Sequence, residues 1–400
     1  MPEHFRSQQE TYNQDLSSWL NPERPIDVPK GKAFDAWALR IKSPEEFESL
    51  GVKEKLLYFS WFGSLAPTTH NTVPERFVLN PEKNSIDLFV DRGTPEAPII
   101  LPASDPVGRQ AAISIGSVIE YMALTVHSYE VESSLTVYEE NSKFIRPPIK
   151  EENRYVGVAS LAFSPQQDNT AHASWLEEIL TRKSERKQFS DSIPVPDSFI
   201  DYLYKIADEQ GVSLHVITNK MARMGLGTFQ SMADTYVVNN GSFSRELGNW
   251  LLANDSDSGV GMRGREFGFG DEAAQKYSRG LQGKEHLNVQ DLIGFSLGGK
   301  SLMKDSSAIF AITIPDDSLE NRIKAGRVFA HSALFLNKNG FSTSMHAGVT
   351  EVQTANKALG AFLRTKERPT VLFRAGKPLT EANEMRPHSS RPSIEKLIIG

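Results

Sequence analysis

The 400-residue chain contains no cysteine, which excludes disulfides, thiolate metal sites and a cysteine nucleophile. No apolar run approaches the eighteen or so residues of a membrane span. Residues 1–30 are polar and lack the apolar centre of a signal peptide, so the expected location is the cytoplasm. A strong charge of one sign is also missing. Forty-four basic residues against 50 acidic ones give a net charge of −6, which argues against a phosphate-neutralising, nucleic-acid-binding surface. The nine histidines form no His-Glu-x-x-His motif and no pair four residues apart, so a helical zinc site has no support. Gly63-Ser64-Leu65 lacks the second glycine of a nucleophile elbow. Gly259-Val260-Gly261-Met262-Arg263-Gly264 matches a dinucleotide fingerprint but follows a polar tract instead of a strand; a mobile loop is expected there.

What is present reads as a globular α+β chain. Hydrophobic residues make up 39% and charged residues 24%, ordinary values for a folded domain. Residues 1–30, polar and carrying Pro22, Pro25 and Pro29, read as an N-terminal arm. Ser43-Pro44-Glu45-Glu46 is a capping box that starts a short helix. Leu56–Leu65 reads as a buried helix, Phe77–Leu79 with Ile86–Val90 as a hairpin, and 110–127 as an amphipathic helix. Tyr155–Phe163 is an expected strand. Residues 164–172 have linker composition, and a second series follows over 173–400. It comprises helices at 173–182, 197–210 and 320–338, and strands at 213–218, 308–314 and 370–375. The glycine-rich, aliphatic-poor stretch 241–300 reads as an excursion or lid. Aligning 115–134 with 325–344, a shift of 210, gives five identities, Gly116/Gly326 among them. An internal duplication is the reading.

Two segments carry chemistry. Arg182-Lys183-Ser184-Glu185-Arg186-Lys187 packs four cations into six positions. In an extended chain Arg182, Ser184 and Arg186 share one side, a set suited to a phosphate and its polar tail. A solvated charged helix end is the bland alternative. Ala66-Pro67-Thr68-Thr69-His70-Asn71 is a proline-fixed loop bearing two hydroxyls and an amide. Near the C-terminus, Arg386-Pro387-His388-Ser389-Ser390-Arg391-Pro392 offers Arg391 as a further cation, or else an ordinary surface tail.

Together these segments resemble the flavin-dependent nitroreductase family, more closely its Acg-like branch of long, internally duplicated chains. The likeness runs from about residue 56 to the end and includes Asp105-Pro106-Val107-Gly108-Arg109 and Arg391-Pro392-Ser393-Ile394-Glu395. Asn71-Thr72-Val73-Pro74-Glu75 departs from the glutamine and tryptophan that ordinary members carry there. The resemblance implies a nitroreductase-like fold in two tandem halves, 31–163 and 173–400, forming an intramolecular pseudo-dimer with one FMN pocket. It implies that Arg182, Ser184 and Arg391 hold the phosphate and that Arg186 lies toward the flavin pyrimidine. Pro67, Thr68, Thr69 and Asn71 would cover the cofactor from the first half, and Thr343, Ser344 and Met345 would meet the ring near N5. It further implies hydride transfer from NAD(P)H to a nitro, quinone or conjugated acceptor, with no side-chain acid or base demanded. The rival function is a non-catalytic FMN binder under a lid. The expected assembly is a monomer or a weak homodimer of pseudo-dimers.

Overall fold

A computed structural model describes residues 16–24, 34–165, 174–379 and 388–399. Among the described residues the first α-helices are α1 (Pro44–Glu48) and α2 (Val52–Ser64). Ser43 caps α1 as expected: its hydroxyl accepts from the Glu46 N–H at 3.2 Å, and the Glu46 carboxylate accepts from the Ser43 N–H at 2.9 Å. Next come β1 (Glu75–Asn80) and β2 (Ser85–Asp91), the anticipated hairpin, with left-handed Asn84 making the turn. Helix α3 (Arg109–His127) is followed by β3 (Val131–Val137) and β4 (Tyr155–Pro165). These strands form one antiparallel sheet in the order β1-β2-β4-β3. β3 is a polar, half-exposed edge strand, so no apolar alternation marks it in the sequence.

The second series builds another sheet. It runs through α4 (Leu176–Thr181), β5 (Phe189–Ser190), α5 (Asp197–Glu209), β6 (Ser213–Ile217) and α6 (Lys220–Asn239). Then follow α7 (Gly241–Trp250), β7 (Leu251–Leu252), β8 (Met262–Arg263), α8 (Asp271–Leu281) and α9 (Val289–Lys304). The chain continues with β9 (Ala308–Ile314), α10 (Leu319–Lys338), β10 (Ser342–Met345), α11 (Ala347–Glu351), α12 (Gln353–Leu363) and β11 (Arg368–Pro378). The sheet order is β10-β11-β9-β6, with β5 pairing β11. All seven residues of β9 are buried, the mark of a strand covered on both faces.

The two sheets meet through the long helices α3 and α10. A Cβ at Gly116 would collide with the Ile323 carbonyl oxygen, and one at Gly326 with the carbonyl of Ile113. Ile113 and Ile323 are themselves 210 apart, as are the two glycines. The contact is therefore reciprocal: each helix offers its glycine to the same place on the other. Only glycine permits backbones this close.

Three expectations change. Residues 16–24, expected as part of an arm, are packed: Leu16 and Trp19 are buried in the first core, and the Trp19 carbonyl accepts from the Arg40 N–H at 2.7 Å. The rest of 1–30 lies outside the described residues, as does most of the linker 164–172. The C-terminal tail, expected with the second half, crosses to the first. Phe77 donates to Leu397 at 2.8 Å and accepts from Ile399 at 2.9 Å, adding a bridge at the β1 edge, while Ile394 and Leu397 enter the first core. The stretch 241–300 is largely helical, and Gly259–Gly264 is no free loop. Gly261 donates to the Asn71 carbonyl at 2.8 Å, and a Cβ at Gly259 would sit 2.9 Å from the Pro392 nitrogen.

Candidate functional site

Helix α4 ends at Arg182, whose backbone turns extended (φ −62°, ψ 131°). The chain stays extended and pairs beside β10: Ser184 bridges Thr343, and Glu185 donates to the Thr343 carbonyl at 2.9 Å. Arg374 on β11 holds the same stretch from below, donating to the carbonyls of Glu185 at 3.0 Å and Lys187 at 2.7 Å. The alternation of Arg182, Ser184 and Arg186 therefore has a physical basis in strand geometry, and all three line one cavity.

The cavity's other walls come from far along the chain. Trp37, Pro67, Thr68 and Asn71 contribute from the first sheet's side, with Lys183, Ser389 and Arg391. The cavity is partly open and offers about 30 Å³ of water-sized space, two or three water positions beside the cations. The loop that delivers Thr68 and Asn71 is strained: His70, Asn71 and Val73 have φ of 49°, 54° and 50°. A β-branched residue in that region is an outlier, costing on the order of 1–3 kcal/mol. Surrounding bonds over-determine it. Asn71 donates to the carbonyls of Gly261 and Ser390, both at 3.0 Å, and Val73 donates to the Thr68 hydroxyl at 3.1 Å.

The cations differ in what they hold. Arg182 donates from Nε to the Tyr121 hydroxyl at 2.5 Å and from Nη1 to Ser184 at 3.4 Å. Arg391 donates to the carbonyls of Ser64 (2.9 Å), Leu65 (3.2 Å), Ala66 (2.9 Å) and Ser390 (2.9 Å), and to the Asn71 amide oxygen. All five of its N–H groups are thereby engaged. Arg391 was expected to hold phosphate; here it ties down the last carbonyls of α2 and the loop, and it contributes only charge to the cavity. Burial and the neighbouring Arg182 push its pKa down to about 10, so it stays cationic at neutral pH. His388 is pushed down to about 3 by burial and by Lys183, Arg182 and Arg391, and is neutral.

Arg186 is already paired. Its Nη1 donates to Glu266 at 2.8 Å, its guanidinium stacks 4.7 Å from the Phe267 ring centre, and Ser389 donates to the same carboxylate at 2.8 Å. Glu266 arrives from the 241–300 stretch, so that stretch reaches the cavity rim. Thr69 turns elsewhere: its hydroxyl donates to Gln110 at 3.1 Å and its N–H to Ser114 at 3.1 Å, and it lines a separate cavity of about 10 Å³. Thr343, Ser344 and Met345 stand behind the clamp strand in β10 and are absent from the lining.

Sequence reasoning missed Tyr121, Trp37, Glu266 and Arg374. Tyr121 carried a signal, since it lies seven residues from Ser114 on one face of α3 and both reach out to loop or clamp residues. No local pattern marks the other three. Among the described residues, no group of three or more His, Cys, Asp or Glu side chains could hold a metal ion. No helix among them is long and apolar enough to cross a membrane.

No family model matches the chain. Two Mycobacterium tuberculosis proteins, named only as uncharacterized proteins MT3212 and Rv3127, are each 23% identical over 327 residues, covering 78% of this chain and 83% of theirs. Among solved structures, one named as a nitroreductase from Anabaena variabilis overlaps 90% of this chain and 95% of its own at 10% identity and a TM-score of 0.43. The FMN-dependent nitroreductase NfnB from Mycobacterium smegmatis, solved with NADPH, overlaps 51% of this chain and 86% of its own at 12% identity and a TM-score of 0.32. The functional reading rests on the residues themselves.

Proposed function

We propose that the chain is a nitroreductase-type flavoprotein that binds one FMN and passes hydride from NAD(P)H to a nitro, quinone or other conjugated acceptor. The observation that carries this reading is the shared cavity: the Arg182–Arg186 strand of one sheet unit faces the Pro67–Asn71 loop of the other. The donor set fits the phosphate end of such a cofactor. Arg182 keeps N–H groups beyond its two bonds, and Ser184 and Thr68 have hydroxyls at the wall. About 30 Å³ of water-sized space is too little for three fused rings. The ring therefore needs the Glu266-bearing segment to stand further from Arg186.

In this reading Arg182 and Ser184 bind the phosphate, and Tyr121 orients the Arg182 guanidinium. Arg391 supplies a fixed positive charge while locking the loop, and Pro67, Thr68 and Asn71 exclude water from that side. Arg186 stands where a released guanidinium would meet an electron-rich ring edge. A bound flavin would supply the hydride chemistry, which needs positioning more than side-chain acid–base groups. The reciprocal contact of Gly116 and Gly326 supports a duplicated, pseudo-dimeric origin of the Acg-like kind.

A second reading, a flavin holder without turnover, is favoured by the Glu266–Arg186 pair and the Gly261–Asn71 bonds, which draw the 250–267 segment over the site. Anaerobic titration separates the two. FMN-loaded protein bleached by NADPH and reoxidised by a quinone or nitroaromatic supports the first. Bound FMN that NADPH does not reduce supports the second, and failure to bind FMN sinks both.

A further inference from the structure

Helix α6 presents an exposed face with an unusual composition. From Met221 to Asn239 its only charged residues are Arg223 and Asp234, and both are buried. The outward side instead carries Met221 (72% exposed), Met224 (38%), Met232 (55%) and Tyr236 (46%). Their spacing keeps them on one stripe of the helix. Phe362 of α12 extends the stripe sideways; it is 36% exposed and packs edge-on against Phe229 of α6 at 6.0 Å. The opposite side of α6 is taken up by α9, where a Cβ at Gly227 would lie 2.8 Å from the Lys300 carbonyl oxygen. The methionine stripe therefore faces away from the rest of the described residues.

The order of residues along the stripe is what identifies its occupant. Met224 and Met232 stand four residues before and four after exposed Thr228, and small Gly225 and Ser231 lie three to either side of it. From Met224 to Met232 the outward row is symmetric in size about Thr228. Two copies of α6 laid antiparallel, with a two-fold axis at Thr228, would set each Met224 beside the other copy's Met232 and cross the helices at small residues. An isologous contact requires such a self-complementary patch. Unbranched methionines adapt well to a packing surface of this kind.

We infer that the α6 face is a dimer interface, docking a second copy of this chain antiparallel about Thr228. The area is sufficient for a modest dimer. Twenty residues make α6 about 30 Å long. A strip about 15–20 Å wide, including Phe362, would bury about 500 Å² per copy and about 1,000 Å² in total, the lower limit for a specific interface. A membrane surface fits less well, because helices that lie on lipid carry Lys and Arg beside their apolar face. Here only Lys220 stands at the end of the stripe.

The test uses the full-length protein in sedimentation velocity across about 1–100 µM, a range that brackets a modest dissociation constant. The expected result is a concentration-dependent doubling of the 44.5 kDa mass. Met232→Lys should abolish it with little change in melting temperature, since Met232 is more than half exposed and takes no part in the neighbouring core. In a chain without cysteine, Thr228→Cys should form a covalent dimer on mild oxidation. A wild type that stays monomeric throughout, a dimer that Met232→Lys leaves intact, or binding to lipid vesicles in place of dimerisation would each overturn the inference.

Discussion

Arg182 and Arg391 line the same cavity and are buried to nearly the same degree, with 4% and 2% exposure, yet substitution should cost far more at Arg391. Arg391→Met removes five donated hydrogen bonds at once and strands the carbonyls of Ser64, Leu65 and Ala66 at the end of α2. A buried acceptor left unpaired costs about 1–3 kcal/mol. The gain from no longer burying a guanidinium, and from relieving its repulsion with Arg182, offsets part of that sum. A net destabilisation of about 3–5 kcal/mol is expected. Arg182→Met breaks two bonds, both to hydroxyls that can turn to other partners, and should cost about 1 kcal/mol. Urea unfolding followed by tryptophan fluorescence measures both. A cost below about 1 kcal/mol for Arg391→Met, or a larger cost at Arg182, would refute the division into a structural and a ligand-facing cation.

Three further outcomes follow from the same geometry. Glu266→Gln removes the negative charge that engages Arg186 and Ser389, so calorimetric FMN affinity should rise several-fold, about 1 kcal/mol. Unchanged or weaker binding would mean that Arg186 does not face the ligand. Glu75 is fully buried, both its carboxylate oxygens lack a partner, and burial raises its pKa to about 7. Its folded value exceeds its unfolded one, so the folded state holds the extra proton. That stabilisation is complete below about pH 4.5 and is lost as pH rises through 7. Relative to Glu75→Gln, wild type should therefore gain up to about 3 kcal/mol between pH 8 and pH 5, and a flat difference would contradict this. Gly326→Ala places a methyl group against the Ile113 carbonyl and should destabilise by about 3 kcal/mol or more, read as a fall in melting temperature; a neutral effect would show that α3 and α10 do not cross there.

The parts of this account legible in sequence are those written locally. The Arg182-x-Ser184-x-Arg186 alternation needs only an extended backbone to define a face, and the chain supplies one beside β10. The capping box at Ser43 and the periodicity of α3 and α10 likewise depend on neighbours a few residues apart. The match of Gly116 with Gly326 could be seen as a repeat, although not as a crossing point. What stayed hidden is long-range. Arg391 looks like an anion ligand until the carbonyls some 325 residues earlier are placed around it. Thr68 and Thr69 are indistinguishable in sequence; the turn after Pro67 sends one to the cavity and the other to Gln110. Glu266 could not be assigned because its partner Arg186 is 80 residues away. The 241–300 stretch read as an excursion because α7 and α8 are short of aliphatic residues, and its helices pack on α6 and on one another.

The claim on which the rest depends is that the shared cavity binds one flavin phosphate through Arg182. Its most direct test is the visible absorption spectrum of the purified, FMN-saturated protein, with flavin released by heat and counted per chain, for wild type and Arg182→Ala. The account predicts close to one FMN per wild-type chain and a large loss of retained flavin in a variant that remains folded. Two flavins per chain, none at all, or equal retention by the variant would contradict it.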